Sequence, residues 1–265
     1  MAEFYLRSGW LLPLYPLLGI LLTIPWMSVR RTGPRPAGYL NLATTAVALT
    51  HALLCLSAVW GQAPLRWSIS WMQVADLSIE LPFELSSLNL AAVVVVTALN
   101  LLAQIYAIGY LEMDWGWARL YSLLALFEAG MTALLLCDSL FFSYMMLEIL
   151  TLGTYLIVGF WFNQPRVGTG ARDAFLTKRI GDLILLMGVI ALYPLAGTWS
   201  YSELAQWSSD QPIGGLTATL VGLALLAGPV SKCAQFPLHL WLDSAMEGPL
   251  PTTILRNSVV IPVGA

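Results

Sequence analysis

Long apolar runs alternate with short polar segments along this chain, and the pattern predicts membrane-spanning helices. A bilayer core about 30 Å thick requires about 20 apolar residues for each crossing. Eight runs follow this rule, the last of them in part, near residues 9–27, 39–60, 84–111, 117–136, 138–162, 172–193, 215–242 and 249 to the end. The last run spans only about 22 Å as a helix before Ala265, so the sequence is expected to stop inside the membrane.

The stretch near residues 63–82 has a different pattern, because polar and apolar residues partly alternate there and Val, Ile and Trp are present. Alternation with period two and β-branched residues are typical of strands. We therefore predict a short β-hairpin outside the membrane.

Composition supports the membrane interpretation. The chain is 58% hydrophobic and 10% charged, whereas soluble domains carry about 25% charged residues. A cytosolic enzyme, a disordered chain and a secreted disulfide scaffold are thereby excluded. A net charge of -3 and the lack of a long basic run argue against nucleic-acid binding. Cys55, Cys137 and Cys233 are too far apart to suggest a zinc site or a redox pair.

The arginines predict the orientation, since short cytoplasmic loops are enriched in Lys and Arg. If the 28–38 loop is cytoplasmic, Arg7 and Arg66 lie outside. The inner side then carries Arg30, Arg31, Arg35, Arg119, Arg166 and Arg172. We therefore expect a cytoplasmic first loop and an outer N-terminus.

Two ionisable residues stand deep within apolar runs, Glu148 in the fifth and Lys232 in the seventh. Such residues are costly in a bilayer and usually functional. We predict that they approach each other, directly or through one or two waters, and carry protons. The alternatives are a protonated structural glutamate and a lysine that extends to the membrane surface.

Pro229 and Pro237 flank Lys232, and each proline removes a backbone donor. We predict that Pro229 interrupts the seventh helix, with helix on either side, as in transporters whose broken helices line ion sites. His239 begins an i, i+4, i+8 series with Asp243 and Glu247. These three would share a face of a continuous helix, as a relay or as a solvated helix end.

The sixth run contains Lys178, Arg179 and Asp182, whose spacing of three and four residues predicts ion pairs along one helix. Glu128, in the fourth run, is a further buried acid, and we include it among the candidates for a proton path.

Four motifs resemble a known family. They are "IYAIGYL" at 105–111, "YLIVGFWF" at 155–162, "AFLTKRIGD" at 174–182 and "GPVSKCAQFPLHLWLDSAMEGPLP" at 228–251. The chain is similar through nearly its whole length to the antiporter-like membrane subunit of complex I, the NuoL and NdhF family, which is related to Mrp cation/proton antiporters.

This resemblance implies roles for particular residues. The proton-channel glutamate of helix five corresponds to Glu148, and the broken-helix lysine corresponds to Lys232. The basic and acidic pair of helix six corresponds to Arg179 and Asp182, and the helix-seven histidine to His239.

The chain also departs from the family pattern. Leu147-Glu148-Ile149 replaces the usual Trp-Glu-Gly, and Asn257, preceded by Arg256, replaces the histidine of helix eight. Because asparagine does not titrate, the usual relay is expected to be interrupted or rerouted. Lys178 adds a cation that the family often lacks.

"RRTGPRPAGYLN", "ARDAFLTKR" and "ILRNSVV" resemble the specialised F subunits of cyanobacterial photosynthetic NAD(P)H dehydrogenase-like complexes. The resemblance implies a thylakoid complex that passes electrons from ferredoxin to plastoquinone and drives CO2 hydration on a peripheral Cup/Chp protein. It also implies an NdhD-type antiporter-like membrane partner and surrounding lipid. We expect no cofactor or metal in this chain, zinc in the Cup protein, and Fe–S clusters and plastoquinone elsewhere in the complex.

The predicted topology brings Arg35, Tyr39 and Glu112 to the cytoplasmic face. Within the CO2-uptake interpretation, Glu112 is a candidate acceptor for the proton that CO2 hydration releases, and Arg35 and Tyr39 can orient it or hold an anion. Ordinary membrane-interface residues have the same composition.

We therefore predict an all-α polytopic membrane protein with about eight helices and a broken seventh helix. Residues 1–111 would form the N-terminal helices one to three, and residues 112–265 an antiporter-like unit of helices four to eight. No redox centre is expected, because Rossmann glycines, Fe–S cysteine spacing and haem ligand patterns are missing from the sequence. The alternatives are a respiratory NdhF or NuoL subunit, an Mrp-type antiporter subunit and a passive scaffold.

Overall fold

The computed structural model describes residues 2–27, 35–74, 77–210 and 214–256. Seven helices in these ranges are long and apolar enough to cross a membrane: Gly9–Trp26, Arg35–Val59, Ser87–Tyr110, Trp117–Leu136, Leu140–Val158, Pro165–Ala196 and Gly215–Lys232. They correspond to the first seven predicted runs. Of the eighth run, a helix over Leu250–Leu255 is described, and residues 257–265 lie outside the described part of the chain.

The elements form a bundle of helices with one β-hairpin between the second and third spans. In chain order they are α1 (Ala2–Arg7), α2 (Leu14–Thr23), α3 (Arg35–Val59), β1 (Leu65–Val74), β2 (Leu77–Leu85), α4 (Ser87–Tyr110), α5 (Trp117–Leu136), α6 (Leu140–Val158), α7 (Pro165–Ala196), α8 (Tyr201–Asp210), α9 (Gly215–Lys232), α10 (Trp241–Ser244) and α11 (Leu250–Leu255). Short 3-10 turns flank α2 and extend the first span to Gly9–Trp26.

The hairpin confirms the prediction for the stretch near residues 63–82 and extends slightly beyond it. Its strands pair in antiparallel fashion, with Leu65 opposite Leu85 and Trp67 opposite Phe83. The rings of Trp67 and Phe83 stack with their centroids 5.8 Å apart. An isolated bridge joins Phe83 to Cys137, so the hairpin covers the junction between α5 and α6.

Helix α5 lies at the centre of the bundle, because α2, α3, α4 and α6 all pack against it. Its side chains are consequently buried on nearly every side, including Leu120, Tyr121 and Phe127. A polar side chain on α5 therefore depends on partners within the protein and not on water or lipid.

Glycines allow α7 and α9 to approach closely. A methyl group at Gly181 would overlap the side chain of Ser231, and one at Gly228 would lie 2.5 Å from a methyl carbon of Leu185. Small residues at helix contacts let backbones approach in membranes, where packing drives association. This close contact brings α9 to the face of α7 that carries Asp182.

The seventh span breaks after Lys232, and the prediction that Pro229 interrupts it is wrong. Pro229 lies inside α9, which continues to Lys232. The backbone N–H of Gln235 donates to the carbonyl of Val230 at 3.0 Å, and Ala234 adopts a left-handed conformation with φ 52°. This is the Schellman pattern of helix ends, and Pro237 cannot continue the helix beyond it.

Residues 233–240 have no regular helix, and only the short α10 follows. His239 precedes α10, so the prediction that it shares a helical face with Asp243 and Glu247 is wrong. Its exposed ring lies against Phe236, with the centroids 6.0 Å apart.

Candidate functional site

A buried ion pair joins α7 to α9. The ammonium of Lys232 lies 2.8 and 2.9 Å from the two carboxylate oxygens of Asp182, and the two side chains are 3% and 1% exposed. Thr151 of α6 donates its hydroxyl to Asp182 at 2.8 Å and accepts a hydrogen bond from Lys232. Three helices thus contribute to one buried charged cluster, in which each charge faces a group of opposite charge.

A second ion pair lies one helical turn away and is less buried. Arg179 of α7 contacts the carboxylate of Glu148 on α6, and the Tyr144 hydroxyl donates to the other oxygen at 2.5 Å. The Arg179 and Glu148 side chains are 39% and 22% exposed. Because Glu148 precedes Thr151 by three residues, the second pair adjoins the first on the same helix faces.

These partners correct the hypothesis of a direct Glu148–Lys232 pair, because each residue forms its ion pair with a different residue of α7. The version with one or two intervening waters stays a prediction. The prediction of ion pairs along one helix among Lys178, Arg179 and Asp182 is also wrong. Arg179 reaches α6 and Asp182 reaches α9, since α7 packs between those two helices.

Lys178 is the third basic residue of this region, and its side chain is fully buried. Its ammonium lies 3.7 Å from the ring centroid of Trp241 and donates to Thr154 at 3.2 Å. The indole N–H of Trp241 donates to the carbonyl of Ser231 at 2.8 Å, which holds the ring beside the lysine. A cation over an aromatic face is stabilised without a carboxylate partner.

Thr151, Thr154 and Trp241 are site residues that sequence reasoning missed. The two threonines follow Glu148 at three and six residues, so all three lie on one side of α6. That spacing was a usable signal for the threonines. Trp241 offered no signal in the sequence, because the irregular segment between α9 and α10 decides where its ring lies.

We use the name charge line for Glu148, Arg179, Asp182, Lys232 and Lys178 together with the hydroxyls of Thr151 and Thr154. A cavity of about 450 Å³ adjoins it and is lined at one end by Lys232 and Tyr144. Asp138 and Tyr201 line the cavity as well, near the hairpin side of the bundle. Water needs about 30 Å³ per molecule, so the cavity has room for several molecules beside the lysine.

Glu128 does not belong to the charge line. It is 0% exposed, and one of its carboxylate oxygens accepts hydrogen bonds from Thr45 of α3, at 2.8 Å, and from Asn100 of α4. Gln104 of α4 donates to the Thr45 hydroxyl at 2.8 Å. We call these four residues the Glu128 cluster.

Arg35, Tyr39 and Glu112 lie at one end of the bundle and are exposed. The start of α3 packs on the start of α5, because Gly38 faces the rings of Trp117 and Tyr121. The Trp117 indole also donates to the carbonyl of Leu111 beside Glu112. The three helix ends are therefore adjacent, although the described contacts include no hydrogen bond between the three predicted side chains.

The family-departure position Arg256 is buried, and its guanidinium donates to the carbonyl of Ala245. This contact ties α11 to the turn after α10. Asn257, the other departure, lies outside the described residues. Among the described residues, no group of three or more His, Cys, Asp and Glu side chains is arranged to hold a metal ion.

Two family models match this chain. The model for the NADH:quinone oxidoreductase/Mrp antiporter transmembrane region matches residues 137–265, and the model for the N-terminus of complex I chain 5 matches residues 71–121. The first match contains the whole charge line, and the second contains the end of β1, all of β2 and α4.

Curated relatives cover nearly the whole chain. NAD(P)H-quinone oxidoreductase subunit 5, organellar chromatophore 2, of Paulinella chromatophora is 48% identical over 98% of this chain and 43% of its own length. NAD(P)H-quinone oxidoreductase chain 5 of a Picosynechococcus strain is 32% identical over 96% of this chain and 40% of its own length. The chain thus spans less than half the length of these relatives.

A solved Mrp complex from Dietzia sp. DQ12-45-1b has the same fold. Its TM-score is 0.78 at 24% identity, over 96% of this chain and 27% of the matched chain. The family models and the curated relatives show that this chain is similar, over nearly its whole length, to NdhF/NuoL-type, antiporter-like complex I subunits. Its seven long apolar helices and the transmembrane family model identify it as an integral membrane protein.

Proposed function

We propose that the chain translocates protons as a membrane subunit of a complex I-like NAD(P)H-quinone oxidoreductase. The observation that carries this proposal is the charge line, in which ionisable groups from three helices alternate with hydroxyls inside the membrane region. Such groups are costly to keep in a bilayer and mark ion or proton paths in membrane proteins.

The contacts suggest how protons move. The hydroxyl of Thr151 accepts from Lys232 and donates to Asp182, so it can pass a proton between the two by exchanging the roles of its bonds. When Thr151 takes a proton from the Lys232 ammonium and passes its own hydroxyl proton to Asp182, a neutral amine lies beside a neutral acid. The amine can then bind a proton from the adjoining cavity, and the acid can release the one it received. The Glu148–Arg179 pair, one turn away, can respond to the same change of charge.

The test replaces Lys232 by arginine in the assembled complex. Arginine keeps the positive charge beside Asp182 but does not release a proton at any pH that proteins tolerate. We expect proton uptake by membrane vesicles during quinone reduction to fall at least about tenfold, which corresponds to about 1.4 kcal/mol. Arg172→Lys, at the exposed Arg172–Asp173 pair, is the matched control. Full proton uptake in Lys232→Arg vesicles would contradict the proposal.

We further propose that the complex is a photosynthetic one, in the thylakoid membrane, that couples ferredoxin-to-plastoquinone electron transfer to CO2 hydration on a Cup/Chp protein. The sequence motifs and the likeness to chromatophore and cyanobacterial relatives support this proposal. The adjacency of the helix ends that carry Arg35, Tyr39 and Glu112 supports a proton-accepting docking site there. The Cup protein would hold any zinc.

Glu112→Gln tests the CO2 proposal. The amide keeps the size of the side chain but accepts no proton at neutral pH, so CO2 uptake should fall while the Cup protein stays bound. Asp173→Asn is the matched control, since it makes the same change at another exposed acid. Normal CO2 uptake in Glu112→Gln, or no copurifying Cup protein, would favour the respiratory subunit.

An Mrp-type cation/proton antiporter subunit is the second candidate, because the Dietzia Mrp complex shares the fold. Sodium dependence separates the two. Proton movement that requires sodium supports the antiporter, and proton movement that follows quinone reduction without sodium supports the oxidoreductase subunit. A passive scaffold predicts no effect of Lys232→Arg in either assay.

A further inference from the structure

The Glu128 cluster contains a buried carboxyl group that the charge line does not use. Its contacts come from α3 and α4, and in the described structure every hydrogen bond to the Glu128 carboxylate comes from a neutral side chain. The second carboxylate oxygen, Oε1, is buried and has no hydrogen-bond partner among the described residues. The side-chain oxygens of Asn100 and Gln104 are likewise buried and have no hydrogen-bond partner among the described residues.

These three oxygens show that the cluster lacks hydrogen-bond donors. All of them are acceptors, and a cluster of buried acceptors without donors is short of hydrogens. An ionised carboxylate in this position would in addition carry an uncompensated charge inside the membrane, which is costly. One proton on the Glu128 carboxyl removes that charge and adds one donor to a cluster that is otherwise short of donors.

Several titratable groups on the elements packed against α5 are hydrogen-bonded or paired elsewhere, or lie at the ends of the bundle. His51 of α3 is hydrogen-bonded to Tyr15 of α2 and to Ser8, and it lies about 9 Å along the helix from Thr45. Glu148 and Tyr144 of α6 are bonded in the charge line. At the ends of the bundle are the exposed Tyr106 and Tyr110 of α4 and Glu84 of β2, which pairs with Arg66.

We propose that Glu128 is a second proton-binding site, held as a neutral carboxylic acid by Thr45 and Asn100 and separate from the charge line. The inference deepens the proton-translocating function proposed above and rests on it for its biological role. The protonation state itself can be measured without any transport.

Polar contacts extend from the Glu128 cluster toward one end of the bundle. Gln104, which bonds to Thr45, also accepts at its backbone carbonyl the hydroxyl of Tyr121, at 2.7 Å. Tyr121 lies about 10 Å from Glu128 along α5 and contacts the start of α3 at Gly38. Thr45, Gln104 and Tyr121 thus form a succession of polar groups from Glu128 toward the end that carries Tyr39 and Glu112.

Infrared difference spectroscopy of the assembled complex tests the proposal. The wild type should show the carbonyl band of a protonated carboxylic acid, with the small shift in D2O that such groups give. Glu128→Gln should remove this band, and Glu148→Gln, the matched control in the charge line, should leave it in place. A band that persists in Glu128→Gln, or that Glu148→Gln removes, would overturn the proposal.

Two further variants keep the test decisive if Glu128→Gln does not assemble. Thr45→Val and Asn100→Ala each remove one donor to the carboxyl group, so each should shift the band without abolishing it. A spectrum unchanged by both, or a cluster that binds sodium in place of a proton, would refute the assignment. A wild-type complex that shows the band but takes up no protons during quinone reduction would instead count against the proposed translocation alone.

Discussion

The carboxyl groups of the charge line and of the Glu128 cluster have different partners. In the charge line, Asp182 and Glu148 each face a basic residue from a neighbouring helix. In the Glu128 cluster, the carboxyl group accepts hydrogen bonds only from a hydroxyl and an amide within the described residues. Both arrangements satisfy the demand that charge be compensated in the bilayer, one with a counter-ion and the other, on our inference, with a proton.

The two arrangements respond differently to the same chemical change. Replacing a carboxylate by its amide removes a charge from the charge line and leaves a cation alone, whereas the same replacement in the Glu128 cluster substitutes one neutral group for another. The acid-to-amide series therefore distinguishes the two regions better than deletion of whole side chains.

Asp182→Asn should have the largest effect. It leaves the ammonium of Lys232 buried without its carboxylate, and breaking a buried pair in this way costs about 3–5 kcal/mol. We expect a strong loss of assembled complex, measured by native gels and thermal unfolding. Lys232→Met added to Asp182→Asn should restore much of the assembly, and a double variant no better than the single one would show that the pair is not what matters.

Gly181→Ala tests whether close helix contact positions the pair. The added methyl group overlaps Ser231, so α7 and α9 must separate, at a cost of about 1–3 kcal/mol for overpacking. Proton uptake should fall together with stability. Gly222→Ala is the control, because that position in α9 has open space around it, and equal effects of the two variants would contradict the explanation.

Glu148→Gln should separate stability from transport. The Glu148–Arg179 pair is partly exposed, so its loss should cost about 1 kcal/mol or less. Assembly is expected to stay intact while proton uptake, and CO2-dependent growth at limiting CO2, are lost. A variant that retains both would remove Glu148 from the path.

Glu128→Gln should have the smallest effect on stability. The amide preserves the size of the group and replaces a neutral acid, so thermal unfolding should change by less than about 1 kcal/mol. A loss comparable to that of Asp182→Asn would mean that Glu128 is ionised in the native state. The comparison of the two variants in one unfolding assay gives the most direct contrast between the two regions.

Hydropathy alone predicts the helices and the hairpin, because the required length of a membrane span and the alternation of a strand are local properties. The same reasoning selects Glu148, Lys232 and Glu128, because an ionisable residue in an apolar run can be recognised without knowing which residue it pairs with. Family motifs add Arg179 and Asp182. These conclusions need no knowledge of which helices are neighbours.

Only the tertiary structure decides which groups pair with the buried ionisable residues and where the seventh helix ends. Asp182 pairs with Lys232 and not with Lys178, because α7 packs between α6 and α9 and glycines let α9 approach. The seventh span ends at Lys232 and not at Pro229, because backbone hydrogen bonds and the left-handed Ala234 form the helix end, and the positions of the prolines do not reveal them. Glu128 meets neutral groups because α3 and α4 face it. Sequence identifies which side chains are expensive to bury, whereas helix packing determines what compensates each of them.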